Sequence, residues 1–98
     1  MQTEKNLQDY IMKECKKRNI LCHKMESRTS RGWPDLLLMF GGQTVFIEVK
    51  SPSGTGKLSP HQVRTIHDID CHGGWTWVVD SVLLADYAIE GLYNYANA

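Results

Sequence analysis

The segment 34–50, PDLLLMFGGQTVFIEVK, decides which fold this chain is expected to adopt. Its two apolar runs flank a Gly-Gly pair at 41–42, and such a pair favours the positive φ angles of a two-residue hairpin turn. A two-residue turn at this position sets a strand register in which Asp35 lies directly opposite Glu48. The hairpin is therefore predicted to bring two acidic residues together at its open end.

The strand after the turn places a base beside the second acid. Side chains alternate between the two faces of a strand, so Lys50 is predicted on the same face as Glu48. The opposite face carries the apolar side chains of Val45, Ile47 and Val49, which we expect in the core. The polar face of this strand therefore carries the candidate functional site.

The predicted closeness of the two carboxylates calls for a positive partner. Directly opposed Cβ atoms lie about 4.5–5.5 Å apart, and two carboxylates this close are not both ionised unless something positive lies between them. A proton, a lysine or a divalent cation meets that need, and carboxylate oxygens with waters suit Mg²⁺ or Mn²⁺. Two interpretations stay open from the residues alone: a metal site on Asp35 and Glu48, or a salt-bridge cluster of both acids with Lys50.

Hydrophobic periodicity and capping residues predict the rest of the secondary structure. Ser59, Pro60 and Gln62 mark a strong helix start, because Ser caps the helix, Pro fits its first position and Gln completes a capping box. A helix between two strands favours their parallel pairing, so we expect an α/β fold of order αβββαβα, with a four-stranded mixed sheet covered by helices on both faces. The predicted elements are a helix over 4–18, strands over 20–25, 35–40 and 43–50, a helix from 60 to about 71, a strand over 75–79 and a helix over 82–95.

Length and composition are those of one small globular domain spanning 1–98. The N-terminus lacks the apolar core of a signal peptide, and the longest apolar run, 36–40, is far shorter than the roughly 20 residues of a membrane helix. Three cysteines without a CxxC spacing indicate reduced thiols rather than a zinc site. We therefore expect a cytoplasmic protein without membrane contact.

The charges divide unevenly along the chain. All 11 Lys and Arg lie in 1–64 together with six acids, whereas 65–98 contains five acids and no Lys or Arg. Such a split indicates a polyanionic partner for one face of the molecule, although a solvated helix face explains the lysines of the first helix equally well.

The last predicted helix carries more apolar residues than one core-facing stripe requires. Either this helix lies in a deep groove or its surplus apolar face meets a partner. For a chain of 98 residues we favour a homodimer formed through this C-terminal helix. The apolar residues are Val82, Leu83, Leu84, Ala85, Tyr87, Ala88, Ile89, Leu92, Tyr93 and Tyr95.

Three short motifs together resemble a known family of nucleases. The Pro-Asp pair at 34–35, followed after twelve residues by Glu-Val-Lys at 48–50, resembles the PD-(D/E)XK nuclease superfamily. The motifs GWPD at 32–35, FIEVK at 46–50 and LSPHQ at 58–62 resemble its VRR-Nuc branch, and the similarity extends from Glu4 to about Asp86. This branch includes small stand-alone phage and bacterial nucleases. The resemblance implies a restriction-endonuclease-like core and metal-dependent cleavage of DNA.

The resemblance also implies roles for individual residues. Asp35 and Glu48 match the metal ligands for Mg²⁺ or Mn²⁺, and the backbone carbonyl of Val49 completes the protein ligands. Lys50 matches the residue that positions the attacking water and stabilises charge developing on the phosphate. Glu4 matches an acid of the first helix that faces the site and holds a metal or its water. A first-turn acid favoured by the helix dipole explains Glu4 as well.

Further positions match the family or flank its motifs. Gln62 matches the glutamine of the helix after the site, and a capping-box partner of Ser59 is an equally good interpretation that does not exclude the first. Trp33 occupies the family's variable position between Gly and Pro, where we expect core packing. The candidate DNA contacts are Arg28, Arg31, Lys57, Ser59 and His61.

The combined hypothesis is a Mg²⁺- or Mn²⁺-dependent endonuclease that acts on branched DNA, such as a four-way (Holliday) junction, as a homodimer. A setting in a bacterial host cell, with a phage-encoded gene, fits the branch that it resembles. The alternatives are a non-selective nicking endonuclease, a non-catalytic DNA-binding module of the same fold, and, less favoured, a protein-interaction domain that uses the last helix. Clustered carboxylates repel phosphate, which argues against a module that only binds DNA.

Overall fold

The computed structural model describes residues 3–25, 31–53 and 56–97. Four strands form one sheet in the order β1-β2-β3-β4, with antiparallel β1–β2 and β2–β3 pairs and a parallel β3–β4 pair. The predicted element order and the mixed sheet are confirmed, and the predicted ends of the elements shift by no more than about two residues, as is usual for fraying ends. The elements are α1 (Glu4–Lys17), β1 (Leu21–Lys24), β2 (Leu36–Phe40), β3 (Gln43–Val49), α2 (Pro60–Cys71), β4 (Trp75–Val79) and α3 (Val82–Ala96).

The β2–β3 hairpin has the register that the glycine pair predicts. Phe40 pairs with Gln43, and the ladder continues to the pair of Leu36 and Ile47. Gly41 and Gly42 have φ angles of 58° and 81°, the left-handed values that a two-residue hairpin turn needs at both central positions. A one-residue slip would turn every side chain of β3 to the other face, so this turn determines which residues reach the core.

The core lies between one face of the sheet and the helices α1 and α3. Val45, Ile47 and Val49 of β3 are buried there, as predicted from the alternation. Apolar residues of both helices complete this layer, and the Tyr10 hydroxyl donates a hydrogen bond of 2.6 Å to Asp86 Oδ1, which links α1 to α3. The helix contribution comes from Leu7, Ile11, Cys15, Ala85, Ala88, Ile89 and Leu92.

The opposite face of the sheet is covered less completely than predicted. Helix α2 packs against β4, where Gly74 lies close to the Ile69 side chain. Farther across the sheet, Leu21 and Met39 are 62% and 43% exposed. One short helix cannot span four strands, so this face, to which Glu48 belongs, remains partly open. Within the described residues, no helix combines the length and the apolar character needed to cross a membrane.

Candidate active site

Asp35 reaches the site through its side chain rather than through the strand ladder. The register of the β2–β3 ladder places Asp35 opposite Glu48, as predicted, although the ladder itself ends one pair earlier, at Leu36 and Ile47. Asp35 Oδ2 accepts a hydrogen bond from the Val49 N–H at 2.8 Å. The preceding residue, Pro34, has no N–H with which to continue the ladder, and the aspartate side chain takes over as the partner of β3.

Glu48 is a buried carboxyl group beside a second acid. Its residue is 3% exposed, which is unusual for glutamate. Burial raises the pKa of Glu48 from 4.5 to about 8, the Asp35 carboxylate raises it as well, and the Lys50 ammonium lowers it. Since burial and a like charge both penalise the ionised form, this carboxyl holds a proton at neutral pH unless a cation takes its place.

Lys50 and Gln62 complete the polar cluster around Glu48. The Lys50 ammonium lies 3.7 Å from Glu48 Oε2 and donates a 2.9 Å hydrogen bond to Gln62 Oε1. The Gln62 amide in turn donates from Nε2 to Glu48 Oε2 at 3.0 Å. Lys50 therefore lies on the same face as Glu48, as predicted, and one amide group connects the base to the acid.

Gln62 both contacts the acid–base cluster and caps α2. Its Oε1 atom also accepts the Ser59 N–H at 2.8 Å, while the Gln62 N–H donates to Ser59 Oγ at 3.2 Å. These reciprocal bonds form the predicted capping box at the start of α2. Because the Gln62 side chain takes part in both the cap and the cluster, it links the start of α2 to β3.

Gly32, in the loop before Asp35, packs closely against the backbone at the start of α2. Its φ angle is +81°, and a Cβ atom at this position would lie 2.5 Å from the His61 carbonyl oxygen. A side chain therefore does not fit here without backbone movement. The backbone contact fixes the loop that carries Asp35 relative to the helix that carries Gln62.

Substituting Gly32 by alanine is expected to cost about 3 kcal/mol of unfolding free energy, because left-handed strain adds to backbone overlap with His61. Gly42→Ala is the matched control, since Gly42 has the same φ of 81° but a Cβ atom added there would meet no other atom within 4 Å. The control should cost only about 1 kcal/mol. Urea unfolding of both variants measures the difference, and equal losses would contradict a special role for the His61 contact.

The oxygen atoms at this site fit a hard divalent cation. The carboxylates of Asp35 and Glu48 lie together at the end of β3. Backbone groups of successive residues in a strand point to alternate neighbouring strands, so the Val49 carbonyl points towards Pro34. Pro34 has no N–H to donate to this carbonyl. Carboxylate and carbonyl oxygens supplemented by waters are the usual ligands of Mg²⁺ and Mn²⁺. Within 3–25, 31–53 and 56–97, no group of three or more His, Cys, Asp or Glu side chains is placed to hold a metal. Asp35, Glu48 and the Val49 carbonyl stay the predicted ligands of such a cation.

Glu4 does not join the two acids in such a group. It is the first residue of α1, capped by Thr3, and its side chain is exposed. Its role as a metal or water ligand stays a prediction.

The predicted DNA contacts lie around this cluster as far as they are described. Arg31, Lys57, Ser59 and His61 are all exposed. Gly56 packs against the aliphatic part of the Lys50 side chain, since a Cβ at Gly56 would lie 3.4 Å from Lys50 Cδ, and this brings the loop with Lys57 next to the site. Arg28 lies outside the described residues.

Trp33 does not pack in the core, so that prediction was wrong. Its residue is 42% exposed, and its ring contacts Phe46 edge-to-face at a centroid distance of 5.8 Å. The loop position between Gly32 and Pro34 explains this outcome, because Gly32 is held against α2 and Pro34 is itself fully buried. The position of Trp33 between a glycine and a proline, both typical of turns, was the sequence feature that could have predicted an exposed ring.

The chain is similar to a solved structure described as a VRR_NUC domain. The two share 30% sequence identity and superpose with a TM-score of 0.77, covering 89% of this chain and 94% of the other. A scan against family models and a search of curated proteins both found no match.

Proposed function

The chain belongs to the VRR_NUC family and has its nuclease-domain fold, and on that basis we propose that it is a deoxyribonuclease dependent on Mg²⁺ or Mn²⁺. The observation that carries this proposal is the burial of Glu48 beside Asp35, within contact of Lys50 and Gln62. A domain that only binds DNA has no use for a buried acid beside a second carboxylate, because the two repel phosphate and destabilise the fold when both are ionised.

The proposed reaction is hydrolysis of a phosphodiester bond. A water oxygen attacks the phosphorus, the bond from phosphorus to the 3′ oxygen breaks, and the products carry 5′-phosphate and 3′-hydroxyl ends. Asp35, Glu48 and the Val49 carbonyl would hold the cation, which when bound lowers the pKa of water and neutralises phosphate charge. The chain's own residues then have to bind the phosphate, orient the water and stabilise the charge that develops.

Lys50 is the residue best placed to stabilise charge on the phosphate. Its ammonium is held by Gln62 at 2.9 Å, and its side chain is 14% exposed, so it faces the site with little freedom. A fixed positive group in a partly dehydrated site stabilises a transition state more strongly than a mobile lysine in water does. Gln62 keeps the ammonium in position.

A cleavage assay tests the proposal. Supercoiled plasmid, linear duplex and branched DNA are incubated with the protein in Mg²⁺, Mn²⁺ or EDTA. Hydrolysis in either metal that stops with EDTA supports the proposal. Binding without hydrolysis in every metal condition would favour the non-catalytic DNA-binding module instead.

We also propose that the protein acts as a homodimer formed through α3. The helix exposes an apolar stripe at a spacing of four residues, with Leu83 61%, Tyr87 55% and Tyr95 57% exposed. Gly91 lies in the same stripe, where the absence of a side chain allows close approach of a second helix. Trp75 of β4, itself 49% exposed, touches Tyr95 edge-to-face and extends the apolar surface. An identical copy, related by a two-fold axis, presents the matching surface.

A two-fold dimer would present two active sites in a symmetric arrangement. A four-way junction has paired scissile strands with the same symmetry, and the described elements include no dedicated motif for reading a base sequence. Branched DNA, recognised by its shape, is therefore the substrate class that fits a symmetric pair of sites. Equal nicking of linear duplex and of four-way junction would instead favour the non-selective endonuclease.

The double substitution Leu83→Asp with Tyr87→Asp is expected to convert the dimer to a monomer, because it places like charges within the apolar stripe. Light scattering after size-exclusion chromatography measures the mass. Val63→Asp is the matched control, since Val63 is an exposed apolar residue, 53% exposed, on α2 rather than α3. A wild-type monomer, or a dimer that survives the double substitution, would refute assembly through this helix.

A further inference from the structure

Trp33 is an exposed aromatic ring in a fixed position. Burying an indole is favourable, yet this residue stays 42% exposed. Its backbone is held on both sides, because Gly32 lies close to the His61 backbone and Pro34 is fully buried, and the ring itself contacts Phe46. An exposed ring on a rigid support is suited to contact a ligand, since little conformational entropy is lost on binding.

The ring lies on the face of the sheet that carries the acid pair. Trp33 contacts Phe46, which lies two residues before Glu48 and on the same face of β3. Residues two apart on a strand are separated by roughly 7 Å, so the indole is close to the proposed cleavage site. Asp35 follows Trp33 by two residues in the segment that leads into β2.

We propose that Trp33 is a stacking platform for an exposed base face next to the cleaved phosphodiester bond, and that it gives the enzyme its preference for branched DNA. This inference rests on the proposed function. In an uninterrupted duplex each base is covered by its neighbours, whereas a fork with unpaired strands interrupts the stack and leaves a base face uncovered. An indole can cover that face whatever the base, because every base offers an aromatic surface.

Charge near the ring is consistent with a nucleic-acid ligand. Arg31, two residues before Trp33, is exposed, and arginine side chains are common contacts of nucleic-acid phosphates. Lys57 borders the same site through the loop that packs on Lys50. An aromatic ring beside basic side chains is the usual composition of surfaces that bind single-stranded nucleic acid.

The test compares a splayed duplex, which has unpaired strands, with a relaxed and covalently closed circular duplex. Binding is measured in Ca²⁺ for the wild type, Trp33→Ala and Trp33→Phe. Trp33→Ala is expected to weaken binding of the splayed DNA by about 5- to 150-fold and to change binding of closed duplex by less than about twofold. Trp33→Phe keeps an aromatic ring and should lose less than Trp33→Ala. Trp77→Ala is the matched control, because Trp77 is also partly exposed, at 36%, but lies on β4 with its side chain on the other face.

A second measurement reports directly on the ring. The chain has three tryptophans, so the double variant Trp75→Phe with Trp77→Phe leaves Trp33 as the only indole. Its fluorescence should be quenched by a single-stranded oligonucleotide and stay unchanged with closed circular duplex. Thermal unfolding of each variant confirms that it is folded.

The outcomes separate this inference from the proposed function. If the wild type cleaves branched DNA in Mg²⁺ while Trp33→Ala binds and cleaves it normally, stacking by Trp33 is refuted and the nuclease assignment stands. If Trp33→Ala weakens binding of the splayed DNA and of the closed duplex equally, a role of Trp33 in the preference for branched DNA is likewise refuted. If the wild type cleaves no DNA in any metal, the proposed function fails and this inference fails with it.

Discussion

The variant Glu48→Gln is expected to lose DNA cleavage by about 10³-fold or more, because it removes one of two charged oxygen ligands and the charge that a cation balances. The fold should persist. The new amide retains an oxygen that accepts the Gln62 N–H now bonded to Glu48 Oε2 at 3.0 Å. Its shape also matches the protonated acid, the form that burial favours in the absence of a cation.

Cleavage rates and calorimetric titration with Mn²⁺ test this expectation. Glu90→Gln is the matched control, because it makes the same chemical change at an exposed position on α3. The Glu48→Gln protein, purified in parallel, also controls for contaminating nucleases in the cleavage assay. A variant that cleaves DNA and takes up Mn²⁺ as the wild type does would remove Glu48 from the metal site.

Stability without metal should fall as the pH rises from about 4.5 to about 8. Glu48 has a usual pKa of 4.5 and a pKa of about 8 in the folded protein. In this interval the unfolded chain has released the proton that the folded chain still holds. The contribution of this proton to the free energy of unfolding is complete below pH 4.5. It is lost as the pH rises to about 8, at a slope of about 1.4 kcal/mol per pH unit for one proton.

Urea unfolding in EDTA at several pH values measures this slope. The Glu48→Gln variant lacks the titrating group, so its profile over the same range should be flatter by that one-proton slope. Mg²⁺ should stabilise the wild type more at pH 8 than at pH 5, because a cation and a proton compete for the same carboxyl group. Parallel profiles for wild type and variant would show that this carboxyl keeps an ordinary pKa.

Local sequence signals predicted the hairpin and the starts of the helices. The glycine pair at 41–42 requires left-handed backbone, and the alternation along β3 then assigns Val45, Ile47 and Val49 to the core. Thr3, Ser59 and Ser81 each accept a hydrogen bond from the N–H three residues later, which begins α1, α2 and α3. Asn19, with φ of 58°, adopts left-handed backbone just after α1, as expected of a helix stop. These features depend on neighbours in the chain or on one tight turn.

Features that depend on packing escaped sequence reasoning. The predicted register places Asp35 opposite Glu48, but the pattern did not predict the side-chain hydrogen bond that Asp35 accepts from the Val49 N–H. Trp33 was expected to pack in the core, but its side chain is partly exposed to solvent. The second face of the sheet was expected to be covered, and α2 covers mainly the β4 side.

Local patterns along the chain were sufficient to predict the element order, the hairpin register and the residues that share a face, because backbone angles, strand alternation and helix caps act over a few residues. The packing of separate elements buries Glu48, joins it to Lys50 through Gln62 and leaves the indole of Trp33 partly exposed. Burial and the contacts between β3 and α2 depend on how these separate elements pack. The distance between them cannot be predicted from residues that are neighbours in the chain.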